Sequence, residues 1–217
     1  MKEVIFGEVL SFTDLGLMLT DDGVHISTPD PKRVLTDVPG MDGSLELTYA
    51  LSSKIRYKNR KIKLIFVMAD YQYRWLSLFS KIIGAIHGKK LHVTIQPDDY
   101  YWDAFCTVSE PKSNRNKGTV VVELDAYPYK LATVPTTVSD SVSASSKTVT
   151  CFNASPMDAV PSFYADHACT IIYNSVNYDL TAETETVFDG IVFSQGNTDI
   201  TISGTANVTI KYTEGIL

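Results

Sequence analysis

The stretch VPGMDGSLELTY, residues 38–49, places a stiff polar loop directly before an alternating segment. Proline fixes one backbone dihedral and glycine permits positive φ, so Pro39, Gly40 and Gly43 predict a loop whose shape is set locally. After the loop, apolar and polar residues alternate through SLELTYAL, residues 44–51, and this period of two predicts a strand. This part of the chain is therefore expected to be β-structure entered through a preshaped turn.

Strand patterns continue on both sides of this stretch. The basic segment KIRYKNRKIKLIFVM, residues 54–68, predicts a strand, a turn and a second strand. Further along, residues 104–126 predict a long hairpin, and its polar tip holds Lys112, Arg115 and Lys117. Most of the first half of the chain is thus expected to form an antiparallel sheet.

One segment has helical period. Between Asp70 and Gly88, large apolar residues recur at intervals of three and four, which predicts an amphipathic helix. Asp70 is a suitable N-cap, Gly88 is a suitable C′ residue, and Lys89 follows at the negative end of the helix dipole. A single helix among strands is expected to cover one face of a sheet.

The composition changes after residue 132. Residues 133–147 are rich in Ser, Thr and Val without helical period, and we predict a linker there. Residues 148–217 show short strand patterns separated by turn signals, which predict a small β-sandwich. The expected fold is mainly β: an N-terminal β-barrel or sandwich with one α-helix, residues 1–132, and a C-terminal sandwich.

Charge divides the chain in the same way. Residues 1–135 hold 17 Lys and Arg against 16 Asp and Glu, whereas residues 136–217 hold 2 against 9. Neither part has the basic excess of a dedicated nucleic-acid binder. The apolar runs are far shorter than the roughly 20 residues that span a bilayer, and the N-terminus lacks a signal-peptide pattern. We therefore expect two domains that face different surroundings, with no membrane partner.

Chemical motifs are absent from the sequence. Cys106, Cys151 and Cys169 are odd in number and lack zinc-site spacing, so buried free thiols are expected. The four histidines lie near no nucleophile motif, and no phosphate-binding loop is present. We predict no catalytic residues, no metal site and no cofactor, and hence a protein that is not an enzyme.

These segments, in this order, resemble the distal tail protein of long-tailed bacteriophages. The family typically shows a V-P-G-x-D-G loop, which VPGMDG matches at residues 38–43. The basic hairpin, one helix ending in HGKK, the turn PDDYYWDAF and the strand closing on DAYPYKL follow in the family's order. The C-terminal part is similar to the family's galectin-like sandwich, with the entry NAS…VPSF, the hairpin YNSVNYDL and the segment FSQGNTDITISG.

The resemblance implies an architectural role. In this family six copies form a ring through their N-terminal domains at the virion tail tip, after synthesis in the host cytoplasm. The ring joins the tail tube protein, the tape measure protein, the tail-associated hub protein and the receptor-binding proteins, and DNA meets it only in transit. Candidate interface residues are Pro39, Gly40, Asp42, Gly43, Arg56, Lys58, Arg60, Lys112, Arg115 and Lys117.

Other interpretations of the same residues stay open. The basic segment 54–63 could neutralise phosphates, but its charges alternate with apolar residues as on a solvated or intersubunit strand face. The turn PDDYYWDAF offers three carboxylates beside aromatics, as in a glycosidase or a metal site, although Pro-Asp-Asp is an ordinary turn. Two rival functions are a carbohydrate-binding adsorption module, which we disfavour because Trp is missing after residue 148, and a tail tube subunit.

Overall fold

The computed structural model describes residues 3–51, 54–68, 71–109, 111–114, 117–143 and 145–217. The chain divides into two compact units, Met1–Lys130 and Leu131–Leu217. Strand residues far outnumber helical residues in both units, which confirms the mainly β fold class. Among the described residues, no helix is both long enough and apolar enough to cross a membrane.

Unit 1 contains an antiparallel sheet with strands in the order β2-β1-β7-β8-β10-β6-β3, with β9 paired to β10 and a separate two-stranded sheet β4-β5. Its strands are β1 (Val4–Phe6), β2 (Val9–Leu10), β3 (Leu17–Ile26), β4 (Leu35–Asp37), β5 (Ser44–Glu46), β6 (Arg60–Met68), β7 (Lys89–Ile95), β8 (Tyr100–Val108), β9 (Lys112–Asn114) and β10 (Lys117–Ala126). Its helices are α1 (Thr48–Leu51) and α2 (Tyr71–Ile86).

Strands with alternating buried and exposed residues form the core of unit 1. Every second residue of β6 is buried, and Leu64 and Phe66 are fully enclosed. Their register partners in β10 follow the same period, because successive side chains of a strand point to opposite faces. Ile82 and Ile86 of α2 join this core, so the helix packs on one face of the sheet as predicted.

The end of α2 also follows the sequence prediction. Gly88 adopts a φ of 72°, the left-handed conformation that glycine takes without steric cost at a helix C-terminus. The ammonium of Lys89 donates to the carbonyl of Gly84 at 2.6 Å, which satisfies one of the last helical acceptors. The predicted N-cap, Asp70, lies outside the described residues.

Two strand predictions between residues 44 and 58 are wrong. The alternation after residue 44 forms only the three-residue β5, and the chain then turns into the one-turn helix α1. Residues 54–58 contribute a single bridge, between Tyr57 and Pro31, instead of the predicted strand. A sheet of only two strands offers other elements little surface to pack on. The alternating residues after Glu46 therefore gain no buried face that would extend the strand.

The long hairpin of residues 104–126 is present. β8 and β10 pair in continuous register from Ala104 opposite Ala126 to Val108 opposite Val122. Beyond that point β9 pairs with the start of β10, which carries the hairpin past the sheet.

Unit 2 contains two four-stranded sheets, in the orders β12-β19-β14-β17 and β13-β18-β15-β16. β11 (Lys130–Ala132) spans the division between the units and pairs with β20 (Gly215–Ile216). The remaining strands are β12 (Thr136–Val142), β13 (Ser146–Asn153), β14 (Ser162–Ala165), β15 (Cys169–Tyr173), β16 (Val176–Leu180), β17 (Thr186–Val187), β18 (Gly196–Ser203) and β19 (Ala206–Tyr212).

The predicted linker, residues 133–147, is instead largely part of the second unit. β12 occupies its centre and pairs with β19 over seven residues, from Thr136 opposite Tyr212 to Val142 opposite Ala206. A Ser/Thr/Val-rich composition suits an edge strand as well as a linker, and composition alone does not separate the two. The partner strand, far away in the sequence, decides the outcome.

The sandwich core of unit 2 lies between its two sheets. Phe163, Ile171 and Phe193 are fully buried within it. Two aromatics of this unit are exposed instead. Phe152 of β13 is 58% exposed and Tyr164 of β14 also lies on the surface, because both alternate with buried neighbours and point outward.

Candidate assembly surface

An arm leaves unit 1 between β3 and β6. We use this name for residues 30–49, which contain β4, β5 and the first two residues of α1. Almost all of residues 30–46 are exposed, and β4 and β5 pair with each other and not with the main sheet. The arm is therefore held in shape by backbone hydrogen bonds and has very little hydrophobic core of its own.

The tip of the arm is a tight turn. The Met41 amide donates to the Val38 carbonyl at 3.2 Å, and the two residues between them are Pro39 and Gly40. Gly40 has a φ of 83°, so the turn has proline at its second position and a left-handed glycine at its third, the signature of a type II turn. Gly43, with a φ of 78°, returns the chain into β5. Four sequence-predicted candidates, the fourth being Asp42, thus lie together at this exposed tip.

A polar cluster holds the two sides of the arm. Arg33 binds Glu46 through two parallel bonds, from Nε at 3.1 Å and from a terminal nitrogen at 2.9 Å. The Thr48 hydroxyl, which is buried, donates to Glu46 at 3.2 Å and accepts from the Val34 amide at 3.0 Å. The hydrogen bond from Arg33 lowers the pKa of Glu46, and the same bond raises the pKa of Arg33. These contacts fix the arm's shape without burying apolar surface.

The root of the arm is built by backbone pairing with residues 56–58. The Lys32 amide donates to the Arg56 carbonyl at 2.7 Å, and the Lys58 amide donates to the Asp30 carbonyl at 2.8 Å. The side chains of Arg56 and Lys58 are exposed beside this root. Two of the basic candidates therefore stand next to the arm, as neighbours of its first residues.

Arg60 differs from the solvated position predicted for it. Only 6% of the residue is exposed, and two of its guanidinium nitrogens, Nε and one terminal nitrogen, are buried without a hydrogen-bond partner in the described structure. Burial lowers the pKa of the guanidinium. In the sheet register Arg60 lies opposite Ala126, which in turn lies opposite Ala104, and these small residues leave room for a long side chain.

The remaining candidates lie elsewhere in unit 1. Lys112 is exposed on β9, and Lys117 begins β10, while Arg115 lies outside the described residues. β10 runs antiparallel to β6, so this hairpin end is near Val67 and the arm is near Arg60. Val67 and Arg60 are seven residues apart along β6, and at about 3.3 Å per residue this distance is roughly 23 Å. The sequence-predicted candidates thus form two groups at opposite ends of one strand.

Exposed apolar side chains concentrate on the arm. Leu35 is 51% exposed and Tyr49 is 62% exposed. The full set on the arm is Val34, Leu35, Val38, Met41, Leu45 and Tyr49. Scattered surface apolar residues are ordinary, but six within sixteen consecutive residues are a concentration that points to an interaction surface. For Leu45 and Tyr49 the sequence indicated the opposite, because the alternation in residues 44–51 predicted a strand with one buried face.

A second surface lies along β3, the last strand of the main sheet. An open groove of about 760 Å³ runs there, and we call it the edge groove. It is lined by Val24, His25, Ile26, Ser27, Lys61, Ile62, Lys63 and Glu123. Ile26 is exposed within it. No sequence pattern identified this groove, since it is created by the register between β3, β6 and β10.

Two of the three carboxylates of PDDYYWDAF are paired with lysines. Asp98 binds Lys130 at 2.6 Å, and Asp103 binds Lys90 at 2.7 Å. The Lys130 ammonium also lies 5.0 Å from the ring centre of Tyr100. Each of these two carboxylates thus has its own cation. In the part of the chain that is described, no three His, Cys, Asp or Glu side chains are grouped to hold a metal ion.

No family model matches the sequence, and no curated protein matches it either. Among solved structures, the chain is similar to the Dit protein of phage SPP1, whose crystal structure presents it as a paradigm of the hub adsorption apparatus in phages that infect Gram-positive bacteria. This likeness covers 100% of both chains, with a TM-score of 0.66 and 12% identity.

Two structures of the phage P2 baseplate in its activated conformation, one with Ca and one with Sr, are also similar over 97% of this chain and 98% of theirs. Their TM-scores of 0.44 and 0.43, at 9% and 10% identity, are too low to establish a shared fold. The SPP1 likeness confirms, over the whole chain, the fold that the sequence resemblance implied.

Proposed function

We propose that this chain is a structural subunit of the hub at the tip of a phage or prophage tail. The observation that carries the proposal is the end-to-end likeness in fold to a hub adsorption protein, over 100% of both chains. A shared fold is a weaker warrant than a shared site. The order of sequence segments around VPGMDG points to the same family independently, which strengthens the proposal.

In this proposal, six copies form a ring at the virion tail tip after synthesis in the host cytoplasm. The ring links the tail tube protein and the tape measure protein to a tail-associated hub protein and to receptor-binding proteins, and DNA passes through it. The arm supports an assembly role because it exposes apolar side chains that a free monomer has no reason to keep in water. Its preset turn at Pro39 and Gly40 lowers the ordering cost of docking.

A structural role also accounts for the chemistry of unit 1. The carboxylates Asp98 and Asp103 are each engaged by a lysine, so neither is arranged as the free acid or base that hydrolysis of a glycoside requires. The SPP1 protein is presented as a paradigm of a hub adsorption apparatus. We accordingly assign no reaction to this chain.

The direct test is the mass of the full chain in solution. Light scattering after size-exclusion chromatography, over a range of concentrations, is combined with negative-stain images of the largest species. We expect a discrete six-subunit ring. Open tubes of unlimited length would replace the hub assignment with that of a tail tube subunit.

Carbohydrate binding is the second candidate, and one observation favours it. Phe152 projects from the outer face of β13 opposite Asn197 of β18. Nearby on the same face, the Thr150 hydroxyl donates to Asp199 at 2.6 Å. An exposed aromatic ring beside polar groups is the usual platform for a sugar. A glycan array probed with the wild type and with Phe152→Ala tests this function. Carbohydrate binding at this site is supported only if the wild type binds a glycan and the substitution abolishes that binding.

A further inference from the structure

We infer that the arm of one copy docks along the β3 edge of a neighbouring copy and places Leu35 in the edge groove. The inference rests on the proposed ring and names the contact that would build it. The occupant is a second copy of this chain, and the docking segment is residues 34–47. Both surfaces lie within unit 1, and both are described in full.

The receiving side is an open sheet edge. β3 ends the strand order of the main sheet, so one side of its backbone has no strand partner among the described strands. Such an edge is a template for another strand, and soluble proteins normally cover or blunt it. Ile26 and Val24 supply apolar surface in the groove beside this edge. The site is therefore suited to an extended, partly apolar segment.

The inserting side has matching properties. β4 and β5 form a sheet of only two strands, so each presents one unpaired backbone edge. Leu35 and Leu45 project into solvent from opposite faces of this sheet, because Leu35 lies opposite Glu46 and Leu45 lies opposite Thr36. A two-stranded sheet of this kind is marginally stable alone, and docking on a larger sheet would stabilise it. Strand addition would satisfy the backbone groups of both edges and cover Leu35 on the face that meets the groove.

Charge orients the contact. Residues 34–47 contain Asp37, Asp42 and Glu46 and no Lys or Arg, although Glu46 is already bound by Arg33 just before this segment. The edge groove presents His25, Lys61 and Lys63 along its length, with one acid, Glu123. Lys61 already binds Asp125 at 2.9 Å, and Lys63 lies opposite Glu123 in the register, so the net cationic excess is small. Electrostatics would thus favour the correct orientation, while apolar burial supplies most of the affinity.

The two surfaces are different patches of one chain, which fixes the symmetry of the assembly. An interface between unlike patches is heterologous, and repeating it gives a closed ring when the rotation closes and an open filament when it does not. A two-fold dimer would instead need one patch that is complementary to itself. Arm-to-edge docking is therefore of the type that a hub ring requires.

The test is cross-linking between two differently labelled copies. One full-length preparation carries Leu35→Cys and the other carries Ile26→Cys, and they are mixed with a short bis-maleimide. The native thiols Cys106, Cys151 and Cys169 are buried and should not compete. We expect a cross-linked heterodimer from the mixture and much less product from either preparation alone. Val187→Cys, on an exposed strand of unit 2, is the matched control for random collision.

Substitutions provide the second measurement. Leu35→Asp and Ile26→Asp should each weaken association by about tenfold or more, since each places a carboxylate in the contact. Circular dichroism and tryptophan fluorescence establish that each variant is folded. Heterodimer yield no higher than with Val187→Cys, or rings that form equally well with both Asp variants, would overturn the arm-to-edge contact.

The outcomes separate this contact from the proposed function. Rings that assemble without the specific cross-link would leave the hub assignment standing and refute the arm-to-edge contact. The specific cross-link within open filaments would uphold the contact and refute the closed ring. A mixture that stays monomeric and yields no specific cross-link would overturn the contact as well.

Discussion

Replacement of Arg60 by methionine should stabilise unit 1. The guanidinium is buried at the start of β6, and two of its nitrogens have no hydrogen-bond partner within the described structure. Each buried unsatisfied donor costs on the order of 1–3 kcal/mol, and replacing buried charges by apolar side chains is often neutral or stabilising by about 1–4 kcal/mol. Methionine keeps most of the apolar stem, so we expect a gain of about 2 kcal/mol in the free energy of unfolding.

Urea unfolding followed by tryptophan fluorescence measures this effect in unit 1 specifically. Both tryptophans, Trp75 and Trp102, belong to that unit. With a urea dependence of about 2 kcal/mol per molar, the midpoint should rise by roughly 1 M. Lys63→Met is the matched control, because it removes the same charge from an exposed position of the same strand and should change stability by about 0.5 kcal/mol or less.

A fall of the midpoint on Arg60→Met would refute the reasoning, since it would mean that the buried guanidinium is satisfied after all. The same variant also tests the role that the sequence suggested for this residue. A structural Arg60 predicts unchanged assembly in Arg60→Met, whereas an interface Arg60 predicts weaker assembly despite the higher stability. The two measurements together decide between these roles.

Three further predictions concern the arm, the thiols and unit 2. Thr48→Val keeps the side-chain shape but removes the acceptor of the Val34 amide. Hydrogen exchange at Val34 should therefore accelerate at least about fivefold, with little change in the global unfolding midpoint. Equal protection of Val34 in both proteins would show that this bond does not order the arm. Burial raises the pKa of the Cys106 thiol to about 12, so at pH 8 this thiol should react with a disulfide reagent only after unfolding, and a fast native reaction would contradict the packing. The Asn207 amide and the neighbouring His167 hold the pKa of Asp166 at about 2, below its value in the unfolded chain. The carboxylate therefore stabilises unit 2 above about pH 4, and this contribution is lost as the pH falls towards 2. NMR titration should give that midpoint, and Asp166→Asn should flatten the stability profile between those pH values; an unshifted midpoint near 4 would contradict the assigned bonds.

The sequence determined the local features of the candidate surface. Pro39 and Gly40 restrict their own backbone, so the turn at the tip could be predicted without knowing its surroundings. The helix ending at Gly88 followed from periodicity and from the same property of glycine. These features depend on neighbours within a few positions, and such information is contained in any short stretch of sequence.

Exposure of the arm could not be predicted in this way. Leu45 lies in an alternating pattern typical of a buried strand face, yet it is exposed because no other element among the described residues packs on β4 and β5. The edge groove likewise exists only because β3 ends the strand order. Whether a face is covered depends on strand order, and strand order is a property of the whole fold.

The sequence by itself thus determined the mainly β class, the helix, the long hairpin and the shape of the tip. Tertiary structure decided that residues 136–142 are a strand, and that Arg60 is enclosed where alternating charges indicated solvent. The physical reason is the same in both cases. Ala126 and Ala104 leave room for Arg60, and β19 supplies a partner for β12, through backbone pairing between segments many residues apart. Pairing between segments so far apart in the sequence cannot be read from the local pattern of the residues that it positions.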